Sequence, residues 1–147
     1  MVNARIAEIT LPDFGMPEGR PEIPEHVYRA RLARLLERAD ESGYDRLVVY
    51  ADREHSANVA YLTGFDPRFE EAVLVLGPTD EPAILVGNEC RGMAAQAPLE
   101  MMTILFQDLS LPGQPRDRSA TLAEILGSLG IGPGSRVGMV CWKTYAG

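Results

Sequence analysis

Asp52-Arg53-Glu54-His55 brings three metal-capable side chains into one loop directly after the strand-like run Arg46 to Ala51. Loops at strand ends do bind ligands in α/β proteins. A metal centre, however, needs several converging donors, and His26 and His55 are the only histidines in the chain. A charged, solvated loop is the plainer reading. Glu70 and Glu71 are adjacent carboxylates, but neighbours on a strand point to opposite faces, so they make a poor acid/base pair. One of them flanking the sheet edge and the other meeting a basic partner accounts for both. Just before them, Phe65-Asp66-Pro67-Arg68-Phe69 forms a kink between a glycine and an apolar run. It is either a turn feeding a buried strand or a segment built to touch something.

The remaining chemistry-bearing residues fit structural roles. Gly-Ile-Gly-Pro-Gly from Gly130 has the glycine density of a phosphate cradle, yet its glycines follow a helix and open a strand. A cradle requires the reverse order, with helix N–H groups facing the anion, so nucleotide binding is rejected. Cys90 has no histidine near it in sequence, and Cys141 sits in an apolar strand, where a thiol acts as a small hydrophobe. His26 falls on the first turn of a helix as a surface or capping residue. Trp142 and Tyr145 are either packing residues or part of a face that another domain covers. No Ser-His-Asp or Cys-His arrangement and no metal-ligand set emerges, so no catalytic residue is assigned.

Composition narrows the function classes. The 147 residues suffice for one domain with a sizeable core, and 46% hydrophobic with 24% charged residues is ordinary for a globular chain. A net charge of −7 argues against a nucleic-acid surface, which needs a concentrated basic face. The arginines from Arg29 to Arg38 are interspersed with acids at helical spacing and read as a solvated face. Met1 to Thr10 carries Arg5 and Glu8 and lacks an apolar signal core, and no apolar run is long enough to span a membrane. Two cysteines make no disulfide framework, so a cytoplasmic setting with reduced thiols is expected.

The elements that must position these residues follow from periodicity. Residues 1–24 carry Pro12, Pro17, Pro21 and Pro24 and predict an extended arm. Tyr28, Leu32, Leu35, Leu36 and Ala39 form the stripe of an amphipathic helix, begun by Pro24 and Glu25 and ended at Gly43. Arg46 to Ala51 is a strand buried on both faces. Ser56 caps a short helix that Gly64 stops. AVLVLG and PAILVG are two strands of a hairpin joined through Pro78 to Glu81. Asn88 caps a helix from Glu89 to Gln96. MMTILF, a helix on Leu122, Ile125, Leu126 and Leu129, and RVGMVCW complete the chain. The order predicts an α/β fold, a mixed β-sheet of about five strands with helices on both faces. The sequence stops a few residues past the last strand, and one domain of a longer polypeptide is the expectation.

The series YRARLARLLERADESGYDRLVVY, NVAYLTGF and EEAVLVLGPTDEPAILVGNE, in that order and spacing, resembles the N-terminal domain of the creatinase/prolidase (pita-bread metallopeptidase) family. Asn58-Val59-x-Tyr61-Leu62-Thr63-Gly64-Phe65 between the first two strands is the most specific piece. The resemblance implies a ribonuclease H-like domain over residues 25–147, preceding a catalytic domain outside this chain. In that domain two divalent metals (Mn, Co or Zn) would be held by Asp, Asp, His, Glu and Glu ligands. None of those motifs stands in this sequence, so no metal residue is carried over and the chain alone is expected to be inactive. The reaction implied is cleavage of Xaa-Pro bonds, or of C–N bonds in creatine-like substrates.

The resemblance further implies a homodimer in which the segment after the Tyr-x-x-Gly-aromatic motif reaches the partner's active site. By position Phe65, Arg68 and Phe69 would contact substrate there. An arginine offers a planar fork to a carboxylate, and an aromatic face suits a proline ring or a guanidinium. The aromatic and arginine spacing departs from the creatinase pattern. Packing of both phenylalanines under the preceding helix, with Arg68 paired to Asp66 or Glu71, stands beside that reading. Two other classes remain open at this level: a protein-interaction module of a metal-free pseudo-peptidase, and a small-molecule binder with a pocket at the strand ends.

Overall fold

The computed structural model describes residues 6–16, 18–19, 21–78 and 81–141. Trp142, Tyr145 and the middle of the Pro78–Glu81 connection lie outside them. Residues 6–16 carry no helix or strand, and their side chains are exposed.

The first helix, α1 (Glu25–Glu41), begins after Pro24 and ends at Ser42, with Gly43 at φ 71. Its Tyr28, Leu32 and Ala39 are buried, which is the face the helical spacing predicts. Then come β1 (Arg46–Ala51), α2 (Ala57–Thr63), β2 (Ala72–Leu76) and β3 (Ala83–Val86). The rest is α3 (Arg91–Ala94), β4 (Met102–Leu105), a 3-10 turn (Gln107–Leu109), α4 (Leu122–Ser128) and β5 (Val137–Val140). The succession is the expected one with the 3-10 turn added.

The five strands form one mixed sheet in the order β4-β3-β2-β1-β5. β2 runs antiparallel to both β1 and β3, as a hairpin requires, while β5 joins β1 and β4 joins β3 in parallel. Alternation along the central strands sorts the core into two layers. Leu47, Val49 and Ala51 of β1, with Leu74 and Ile84, meet α1, α2 and Phe65. Val48, with Val75 and Leu85, meets Phe106, Leu109 and Ile125 of α4. Helices therefore cover both faces.

Four local readings differ from the sequence expectation. The helix after β3 is four residues long, and Asn88 does not cap it. The Asn88 side chain instead donates to the Pro115 carbonyl and accepts from Gln107 Nε2. Ser56 precedes α2 but makes no side-chain cap bond, because its own backbone is already in the helical region. Cys141 lies beyond the end of β5 and is exposed, so it does not act as a strand hydrophobe. Glu70, expected either to flank the sheet edge or to meet a basic partner, is instead 2% exposed and accepts the backbone N–H groups of Glu89 and Cys90.

Candidate functional site

Register gathers the chemistry-bearing loops at one end of the sheet. Ala51 pairs with Ala72, Ala72 with Val86, and Val86 with Leu105, while Val49 meets Val140. The carboxy ends of β1, β3, β4 and β5 and the start of β2 thus share one edge. There the Asp52–His55 loop, the Phe65–Glu71 turn and the Gly87–Cys90 segment come together.

The Phe65–Phe69 turn is launched by α2. Gly64 closes that helix at φ 77, its N–H donating to the Ala60 carbonyl. A Cβ at Gly64 would lie 2.7 Å from Pro98 Cδ and 2.9 Å from the Tyr28 hydroxyl, so both conformation and space exclude other residues. Thr63 Oγ1 donates to the Val59 carbonyl and accepts the Phe65 N–H, which sets the direction in which the chain leaves the helix. On the outer side of α2, Arg31 donates to the Tyr61 carbonyl at 2.7 Å, its guanidinium 4.1 Å from the Tyr61 ring centroid.

The three nominated residues separate. Phe65 is 3% exposed and packs in the core layer under α1 and α2. Arg68 and Phe69 face outward, Phe69 at 47% exposure. Arg68 holds φ 60 and is the one non-glycine residue at positive φ among the described residues. Such a backbone costs an arginine roughly 1–2 kcal/mol. It is held because Asp66 Oδ1 accepts the Arg68 N–H at 2.8 Å. Asp66 is therefore engaged with the Arg68 backbone, and no ion pair holds the Arg68 guanidinium among the described residues. Beside the turn runs a groove of about 640 Å³ whose lining includes Ile23, Tyr28, Met93 and Pro98 together with Asp66 and Arg68.

Beneath the turn lies a group that sequence reasoning set aside. The Glu70 carboxylate accepts the N–H of Glu89 at 3.2 Å and of Cys90 at 2.9 Å. The Cys90 thiol donates to the Pro67 carbonyl at 2.9 Å. Burial, reinforced by Glu70, pushes that thiol from 9.0 up to about 12, so it stays protonated and is no nucleophile. The one signal available beforehand was Gly87, whose bare backbone leaves room for the carboxylate.

At the neighbouring loop, Asp52 Oδ1 accepts the N–H groups of Glu54 and His55 and lies 3.0 Å from His55 Nδ1. It is turned back on its own loop in the manner of an Asx turn. Among the described residues no group of three or more His, Cys, Asp or Glu side chains could hold a metal ion. The donor set of the described residues does not fit a dinuclear centre. Nor, among the described residues, is any helix long and apolar enough to cross a membrane.

Solved structures of similar fold include an Xaa-Pro aminopeptidase from Streptococcus pyogenes, 20% identical, with a TM-score of 0.50 over 71% of this chain and 69% of that one. The creatinase/prolidase N-terminal domain of an X-Pro dipeptidase from the same organism is 21% identical, with a TM-score of 0.45 over 56% of this chain and 61% of that one. Prolidase from Pyrococcus furiosus is 20% identical, with a TM-score of 0.42 over 64% of this chain, which spans 22% of that enzyme. Among curated proteins none matches. The family model for the creatinase/prolidase N-terminal domain matches residues 31–146, from the first turns of α1 past the end of β5. The chain belongs to the creatinase/prolidase N-terminal domain family.

Proposed function

We propose that this chain is the non-catalytic N-terminal domain of a cytoplasmic dinuclear-metal Xaa-Pro peptidase or creatinase-like hydrolase. Its catalytic domain follows in the same polypeptide, and two copies associate. Arg68 and Phe69 then stand at the mouth of the partner's active site, where the guanidinium takes a substrate carboxylate and the ring covers a proline or guanidinium face. Phe65 supports them from the core. The metals belong to the catalytic domain.

The observation that carries this reading is the outward Arg68, held at positive φ on a turn that immediately follows the family's Asn58–Phe65 segment. Family membership supports the parent assignment. The test has two arms. The isolated 147-residue chain should not hydrolyse Xaa-Pro dipeptides with added manganese or cobalt, and turnover by it would overturn the domain assignment. In the full polypeptide, Arg68→Ala should raise KM about tenfold with a small change in kcat, as loss of uniform binding does. An unchanged KM in both Arg68→Ala and Phe69→Ala would remove the contact.

A further inference from the structure

We infer that Glu70 is a positioning residue, whose buried carboxylate, working with the Cys90 thiol, fixes the turn that presents Arg68 and Phe69. The inference rests on the role proposed above for those two side chains.

The turn is fastened at two points to one short anchor. At its end, the Glu70 carboxylate takes the consecutive backbone N–H groups of Glu89 and Cys90. At its middle, the Pro67 carbonyl accepts both the Cys90 thiol at 2.9 Å and the Glu70 N–H at 3.2 Å. Pro67 is itself fully buried. Thus Glu89–Cys90 holds Pro67 and Glu70, and the two residues between them, Arg68 and Phe69, project outward.

A carboxylate suits this position because two oxygens on one short group can receive two adjacent N–H donors. An apolar residue would fill the same space and leave both donors without an acceptor. The fit leaves no slack: a Cβ on Gly87 would fall 2.8 Å from Glu70 Cδ and from both carboxylate oxygens. Arg68 needs such fastening. A non-glycine residue at φ 60 persists only where its surroundings over-determine it. Asp66 supplies one constraint from within the turn, and the Glu70–Cys90 anchor supplies the others from below. Released from the anchor, Arg68 would relax toward negative φ, and its guanidinium would leave the direction the turn now gives it.

The first test is amide hydrogen exchange on the 147-residue chain. Glu70→Ala should speed exchange at Arg68, Glu70, Glu71 and Cys90 at least tenfold relative to the amides of β1. Glu70→Gln keeps one acceptor oxygen and should fall between. Gly87→Ala, which displaces the carboxylate without altering it, should reproduce the effect and serves if Glu70→Ala does not fold. Rates at these amides that follow β1 in all three variants would overturn the anchor. The second test uses the full polypeptide: Glu70→Gln should raise KM five- to tenfold with kcat within twofold. A KM that responds to Arg68→Ala but not to Glu70→Gln would overturn the positioning role and leave the proposed function intact. A KM indifferent to Arg68→Ala and Phe69→Ala would instead remove the proposed substrate contact, and the exchange rates alone would then decide the anchor.

Discussion

Cys90 and Pro67, twenty-three residues apart in sequence, meet as thiol donor and carbonyl acceptor at 2.9 Å. That contact joins the loop after β3 to the turn before β2, and it makes one of the two cysteines chemically silent.

Cys90 and Cys141 should therefore differ sharply toward alkylating agents. Iodoacetamide attacks the thiolate, and Cys90 is buried with its thiol pushed up to about 12, while Cys141 is exposed. At pH 8 in native buffer, mass spectrometry should find label on Cys141 and Cys90 untouched, with Cys90 labelled after denaturation. The same shift carries a sign for stability. The folded thiol holds its proton to higher pH than the unfolded one, so its contribution is full below about pH 9 and is lost as pH climbs toward 12. Equal labelling of both cysteines under native conditions would contradict the buried donor.

Gly64→Ala should be among the most damaging single-methyl changes in the chain. The added carbon meets Pro98 and the Tyr28 hydroxyl within 3 Å on a backbone at φ 77. Conformational strain and overpacking together suggest roughly 2–4 kcal/mol of lost stability. Urea denaturation would read it as a lower midpoint with an unchanged slope.

Arg68→Gly should move stability and function in opposite directions. Glycine adopts φ 60 freely, so relief of strain offsets the extra freedom of the unfolded chain, and the variant should be as stable as the parent or up to about 1 kcal/mol more stable. In the full polypeptide it should nonetheless lose substrate affinity. Thermal melting beside steady-state kinetics would show both, and a clear drop in melting temperature would refute the strain.

Thr121→Ala should loosen α4. Thr121 Oγ1 accepts the Glu124 N–H while the Glu124 carboxylate takes the Thr121 N–H and hydroxyl, a reciprocal capping box. Its loss should cost about 1 kcal/mol. Those bonds hold the Glu124 carboxyl below its ordinary 4.5. Its contribution is thus present above that pH and lost as acid protonates the group in the folded state. The difference between wild type and Thr121→Ala should accordingly shrink on acidification, as followed by denaturant titration at several pH values.

How far the sequence discloses this molecule depends on the range of the signal. The α1 stripe, the apolar strands and the stop glycines Gly43, Gly64 and Gly130 are local patterns, and each appears in its expected place. Thr121 and Glu124, three residues apart, spell a capping box in the sequence itself. The errors come where a partner is distant. Asn88 looks like a cap beside the next helix, but Pro115 and Gln107 claim its side chain from elsewhere in the chain. Glu70 looks like a carboxylate for the sheet edge or for a basic partner, because nothing within a few residues reveals that the N–H groups of Glu89 and Cys90 will need it. Residue types alone mark the turn from Phe65 to Phe69, yet its division into an inward Phe65 and an outward Arg68 and Phe69 appears only with the fold.

The two-layer core has a consequence for how this family can vary. β1 lies between β2 and β5 and sends Val48 to one layer and Val49 to the other. Substitutions along β1 change one layer at a time, whereas deleting a single residue would exchange the occupants of both layers at once. Length should thus be held almost rigidly in β1 and in the strands beside it. Insertions and deletions should instead be confined to the connections between strands, where no strand register depends on chain length.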